Sequence, residues 1–395
     1  PIVLIAYLLP FVKMSDYLMA ASVICLEASV CLLYGWLKKR RFSTEIALAV
    51  AVLFLLAGPM IYQSCHQIMF VQYMPFLLMA FSGVDRYWEK GKTGLYTLGV
   101  FLMILTSFYF SIAGMAAIFL YGWYGYPKGI RKRKLFGFLV PMIVAVLSAG
   151  VLLVPTAYAI LQRSGSSKSQ NLKELLMPKL QLDTSLYGAY SVGLTVILVA
   201  VLLGGIVCGT IRERMITVVC VALLTVPLFA WGFNGMLYVR YKSLIPFLPF
   251  FCYLTAVFVK RMENGEIGRW KGVFIFGSTV GVSLLALYQQ GDGLRAQNYQ
   301  LILFESAALF FFFLIFQKWK RPFLLLVPAL VCLVLINHVV NGKAGNLVQK
   351  EDYQEITDSA WQDAVCDALD GETGLYRTEQ SGVAKKRKDN VNRIW

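Results

Sequence analysis

Apolar residues in this chain come in long unbroken blocks separated by short polar stretches, and block length carries more information than any alternation. About 20 helical residues cross a hydrocarbon layer ~30 Å thick. Blocks near that size predict spans over 16–37, 45–62, 67–84, 94–108, 110–126, 135–160, 188–208, 215–233, 243–259, 272–289, 300–317 and 322–340. The pattern is that of an all-α polytopic membrane protein with about twelve transmembrane helices. Residues 1–12 are too short to cross and contain Pro10, so 1–15 reads as an interfacial or re-entrant segment ahead of a transmembrane domain over 16–340.

The pattern changes after the last span. Residues 350–370 place Trp361, Val365, Ala368 and Leu369 on one face of an amphipathic helix, and Leu375–Glu379 follows a Gly-containing turn as a strand. We read 341–395 as the start of an extracellular soluble α+β domain that the chain does not complete. The opening on Pro1 and the unfinished look of Asn390–Trp395 suggest a piece of a longer protein.

Composition agrees with a membrane class, at 58% hydrophobic and 15% charged. A net charge of +15 raises the question of nucleic acid, but the basic residues lie in short clusters between spans, where they set topology. Nucleic-acid binding is therefore set aside. Alternate loops carry Lys38–Arg41; Arg86, Lys90 and Lys92; Lys128 and Arg131–Lys134; Arg212 and Arg214; Lys260, Arg261, Arg269 and Lys271; Lys318, Lys320 and Arg321. The opposite loops hold far fewer: Arg163, Lys168, Lys173, Lys179, Arg240, Lys242 and Arg295. The first set is expected to be cytoplasmic, which puts loops 162–187, 231–242 and 290–299 and the tail outside. Six of the eight cysteines lie singly within apolar runs, and no CxxC or other metal-ligand spacing occurs.

The outer loop 231–242 concentrates the polar chemistry. Asn234, Tyr238, Arg240 and Lys242 place hydrogen-bond donors and positive charge directly beside Leu244–Leu248, which suits an anionic lipid head group. The same residues also suit interfacial anchoring, with cations snorkelling and tyrosines in the aromatic belt. His66 ends a polar stretch with Gln63, Ser64 and Gln67, and Tyr109 and Ser111 sit in a tight outer turn. Loop 162–187, which opens at Arg163, carries Leu172, Leu175, Leu176 and Leu180 as a short amphipathic segment, either a lid or a connector. Asp16 and Asp183 are placed for a general base and equally for helix capping. Glu305, inside a span, calls for a partner, with Arg295 and Lys242 as candidates. No Gly-rich phosphate loop, GxSxG or HExxH is present.

Several stretches together resemble the bacterial YfhO family, a branch of the GT-C glycosyltransferases. They are Gly83–Tyr87, Thr106–Ser111, Leu153–Tyr158, Phe233–Tyr238 with Arg240 and Lys242, and Tyr376–Arg377 with Asn390–Ile394. The resemblance implies an enzyme that takes a sugar from undecaprenyl phosphate on the outer face and adds it to an envelope polymer such as lipoteichoic or wall teichoic acid. It implies a catalytic carboxylate in a first outer loop, expected N-terminal to this chain, and leaves the need for a divalent metal open. By position, Asn234, Tyr238, Arg240 and Lys242 then fall to the donor lipid phosphate, and His66, Tyr109, Ser111 and Arg163 to the substrate. Two other readings stand beside it. A flippase of lipid-linked sugars predicts broken helices and charges at membrane depth, and a non-catalytic scaffold predicts neither transfer nor transport.

Overall fold

The computed structural model describes residues 2–6, 8, 11, 12, 14–127, 129, 136–163, 172–236, 238–290 and 296–343. The expected soluble helix over 350–370 and strand over 375–379 lie outside the described residues. Among those described the chain is helical throughout and has no strand. The helices are α1 (Ile2–Ala6), α2 (Met14–Lys39), α3 (Thr44–Leu56), α4 (Gly58–His66), α5 (Met74–Lys90), α6 (Gly94–Thr106), α7 (Phe108–Gly125), α8 (Val140–Ser148) and α9 (Gly150–Arg163). After α10 (Leu172–Leu176) come α11 (Ile197–Cys208), α12 (Ile211–Thr225), α13 (Pro227–Phe233), α14 (Leu248–Glu263), α15 (Arg269–Gln290), α16 (Ala296–Trp319) and α17 (Val327–Lys343).

Six stretches are long and apolar enough to cross a bilayer: Asp16–Lys39, Ile68–Lys90, Phe108–Gly125, Tyr241–Glu263, Arg269–Gln289 and Tyr299–Trp319. The count is eight if the bent pairs α3 with α4 and α12 with α13 each form one span. The expected span 188–208 becomes a helix only from Ile197, because Gly193 takes φ 78 and the buried segment before it runs irregularly. Block 135–160 divides into α8 and α9, and the amphipathic segment of loop 162–187 condenses to the five residues of α10, packed on α13.

Proline explains both bends. Pro59 and Pro227 lack an N–H and crowd the preceding turn, so the helices restart at 50° and 79° respectively. Each bend frees a carbonyl that a continuous helix would have used. Asn337 Nδ2 donates to the Leu56 carbonyl at 2.8 Å, and the Lys179 N–H donates to the Thr225 carbonyl at 2.7 Å. Half-buried backbone acceptors are thereby satisfied by donors far away in sequence.

The span Tyr241–Glu263 is the axis of the bundle, with 89% of its apolar window buried, against 28% for Asp16–Lys39 and 33% for Arg269–Gln289. The outer helices turn Ile24, Phe274, Phe304 and Val331 outward, as lipid-facing helices do. Packing is closest between α5 and α6. A Cβ on Gly83 would lie 2.5 Å from the Tyr96 Cα, so the two backbones touch where a larger residue would separate them.

The basic loops gather at one end. Lys260 donates to the Arg41 carbonyl at 2.9 Å, Arg261 pairs with Glu213 at 2.6 Å, and Arg212 donates to the Tyr126 carbonyl at 2.6 Å. Glu213 also closes a capping box with Thr210 at the start of α12. Four loops that the charge pattern assigns to one side of a membrane thus meet in the structure.

Candidate functional site

The other end of the axial span carries the polar cluster, and local chain geometry builds it. α6 stops at Thr106 and α7 starts at Phe108, so Ser107, with φ −148, makes the turn alone and leaves Tyr109 on the first turn of α7. α13 ends at Phe233. Gly235 and Met236 follow in the left-handed region at φ 67 and φ 62, and the Met236 N–H closes the turn on the Trp231 carbonyl at 3.0 Å. For Met236 that conformation is costly, and its side chain is 61% exposed at the tip of the loop.

Asn234 holds this loop together. It is buried, and its Nδ2 donates to the Ala230 carbonyl at 2.5 Å and to the Arg240 carbonyl at 2.7 Å. Its Oδ1 accepts from the Tyr109 hydroxyl, which also pairs with the Tyr238 hydroxyl at 2.9 Å. Ser243 Oγ adds a bond to the Arg240 carbonyl at 3.3 Å. With both amide hydrogens committed to backbone, Asn234 shapes the site and has none left for a ligand.

Around this scaffold stand the cations. Lys242 Nζ lies 4.6 Å from the Tyr109 ring centroid, 5.1 Å from that of Tyr238 and 5.6 Å from that of Phe70. Three aromatic faces at these distances cradle an ammonium electrostatically. The Arg240 guanidinium is exposed, 5.7 Å from the Tyr238 ring. Burial pushes the Tyr238 phenol up, but a hydrogen bond from Lys242 and the charges of Lys242 and Arg240 outweigh it, leaving it below the usual tyrosine range. Two cations and a tyrosine hydroxyl so arranged can hydrogen-bond and neutralise an oxyanion.

The remaining sequence candidates fall elsewhere. Ser111 is buried and donates to the Phe108 carbonyl at 2.5 Å, an internal helix bond that keeps it out of the cluster. His66 ends α4 and Arg163 ends α9, and both side chains lie outside the described residues. Asp183 is buried and accepts from Tyr299 at 2.9 Å. Glu305 accepts from the Tyr187 hydroxyl, which in turn accepts from the Val196 N–H at 3.0 Å. Of its expected partners, Lys242 turns to the aromatic cradle, and Arg295 lies outside the described residues. Among the described residues no three His, Cys, Asp or Glu side chains form a group that could hold a metal.

Residues 1–390 match the family described as bacterial membrane protein YfhO. The chain belongs to this family. No curated protein and no solved structure is significantly similar to it. Two of the stretches that carry the YfhO resemblance, Thr106–Ser111 and Phe233–Lys242, meet in the cluster through Tyr109, Asn234 and Tyr238. A third, Gly83–Tyr87, lies toward the basic end, where it contributes a carboxylate that sequence reasoning overlooked. Asp85 is buried, accepts from Trp36 Nε1 at 2.8 Å and from the Tyr121 hydroxyl, and lies 3.7 Å from Arg40 Nε. An acid inside an apolar run marks a site by default. Ending that span at residue 84 left Asp85 among the loop residues and hid the signal.

Proposed function

We propose that this YfhO chain is the membrane part of a GT-C glycosyltransferase that uses a polyprenyl-phosphate sugar at its outer face and delivers the sugar to an envelope polymer such as lipoteichoic or wall teichoic acid. One observation carries the reading: Tyr109, Tyr238, Arg240 and Lys242 converge from separate segments at one end of the axial span, on the end away from the basic loops. A lipid phosphate seated there meets two cations and a hydroxyl, and the same contacts strengthen as charge develops on the departing phosphate. Lys242 and Arg240 take the phosphate, the Tyr238 hydroxyl turns from Tyr109 to donate to its oxygens, and Asn234 with Tyr109 bonded to its Oδ1 holds the loop. In this reading all twelve apolar blocks cross the membrane, an outer domain follows them, and His66 and Arg163 lie toward the sugar.

A flippase reading draws on a different observation. It takes the bends of 50° and 79° as broken spans, and Glu305 is a buried carboxylate within the continuous span Tyr299–Trp319. The deciding experiment reconstitutes the protein with labelled undecaprenyl-phosphate sugar and teichoic acid and follows both transfer and leaflet position of the label. Transfer that is lost in Arg240→Ala supports the enzyme. Label that changes leaflet without reaching polymer supports transport and removes the enzyme reading.

A further inference from the structure

The axial span has a second polar end. About 18 residues separate Lys242 from Lys260, ~27–30 Å of helix, close to a hydrocarbon thickness. There a cavity of about 580 Å³ opens between the α2–α3 loop and the C-terminal turns of α14. Its size falls within the ~300–1,000 Å³ of small-molecule sites. Its wall presents Lys39, Arg40, Arg41, Lys260 and Arg261 together with Glu89 and Glu266, and Tyr253 and Val257 complete the lining.

The cations divide by what holds them. Arg40 is anchored by Asp85 at 3.7 Å and by the Tyr253 hydroxyl at 3.4 Å, and Arg261 by Glu213 at 2.6 Å and Glu266 at 3.7 Å. Lys39, Arg41 and Lys260 have no carboxylate within ion-pair distance among the described residues. Lys260 instead donates to the Arg41 carbonyl and lies 5.1 Å from the Phe42 ring centroid. Arg41 itself sits at φ 62, a conformation that costs a residue bearing a Cβ. The fold thus spends strain to keep an arginine in the four-residue connection between α2 and α3, and sets it beside two lysines at the mouth of an open cavity. Like charges crowd unless an anion joins them.

We propose that this cavity binds a phosphate-bearing anion, with Lys39, Arg41 and Lys260 as its ligating cations and Arg40 and Arg261 behind them. Two sources share the chemistry: the phosphodiester head group of an anionic lipid and a soluble phosphate compound. The cavity is remote from the Tyr109 cluster and independent of the reaction proposed there.

The test places the full chain in phosphatidylcholine nanodiscs and follows its melting temperature. One arm raises the fraction of phosphatidylglycerol; the other titrates inorganic phosphate and glycerol 3-phosphate into pure phosphatidylcholine discs. The wild type is expected to be stabilised. Lys39→Gln with Arg41→Gly, where glycine accepts the left-handed turn, needs roughly ten-fold more anion for the same stabilisation, from the loss of two charged contacts. Glu89→Gln, which removes a carboxylate from the wall, needs about three-fold less. A structural defect alone cannot shift the two variants in opposite directions. Response to lipid alone identifies the head group, and response to the soluble compounds identifies a soluble ligand. The site is overturned if no anion stabilises the wild type, or if Lys318→Gln, a basic-loop change outside the cavity wall, shifts the response as much as the double variant. If the double variant does not fold, an unchanged response in Glu89→Gln overturns it equally.

Discussion

Asn234→Ala separates two roles that loop 231–242 combines. The change removes the Nδ2 bonds to the Ala230 and Arg240 carbonyls and the acceptor of the Tyr109 hydroxyl. Each such bond is worth ~0.5–1.5 kcal/mol net. All three abandoned groups keep a second partner, since the residue 234 N–H still reaches the Ala230 carbonyl at 3.2 Å, Ser243 Oγ the Arg240 carbonyl at 3.3 Å, and Tyr238 still meets Tyr109 at 2.9 Å. The expected loss is therefore ~2 kcal/mol, below the simple sum. At about 2–4 °C per kcal/mol for chains of a few hundred residues, the apparent melting temperature falls by roughly 5 °C. Arg240→Ala behaves in the opposite way: an exposed side chain leaves stability within ~0.5 kcal/mol, while loss of one charge-assisted phosphate contact weakens donor binding ~10–100-fold. The assay pairs melting in detergent with binding of a labelled polyprenyl-phosphate sugar for both variants. An Asn234→Ala protein that melts with the wild type yet loses the donor as Arg240→Ala does makes Asn234 a direct ligand and refutes the scaffold argument.

Other consequences are equally direct. The lowered Tyr238 phenol ionises before an ordinary tyrosine, so ultraviolet difference absorbance is expected to show an early phenolate component that Tyr238→Phe removes. Because the folded-state value is depressed, this phenolate contributes stability that is present above the unfolded tyrosine range and is lost as pH falls through the folded value. Gly83→Ala forces apart backbones 2.5 Å from the new Cβ, and we expect a loss of ~1–3 kcal/mol in denaturant titration; unchanged stability would mean that α5 and α6 are not in backbone contact. Asp85→Ala leaves Arg40 without its anion and is expected to cost ~3 kcal/mol, whereas Asp85→Asn, which still accepts from Trp36 or Tyr121, costs about half that. Equal losses would show that charge at residue 85 is irrelevant.

Much of this architecture was legible in the chain because bilayer thickness fixes the length of an apolar block. The positions of the helices and the gathering of the basic loops follow from that and from the placement of Lys and Arg. Interruptions were harder to read. Pro59 and Pro227 were visible, but whether a proline bends a span by 50° or 79° depends on which distant donor takes the freed carbonyl. The buried irregular run before Ile197 was invisible for the same reason: its apolar composition matches a span, and only tertiary contacts hold it unwound. Within the site, the residue types of Tyr109, Tyr238, Arg240 and Lys242 announced polar chemistry at a boundary. That Asn234 turns inward and that Ser111 bonds its own helix were not legible, because both depend on side-chain direction rather than spacing.

The donors that mend the two bends also set an order of events during synthesis. Asn337 lies 281 residues after Leu56, the carbonyl it satisfies. The bend between α3 and α4 is made 281 residues ahead of its donor, so it stays incomplete until Asn337 has followed. The early helices must therefore wait in the bilayer, held by their neighbours or by insertion machinery, with one exposed acceptor. A chain stopped before residue 337 leaves the Leu56 carbonyl at the bend without this donor.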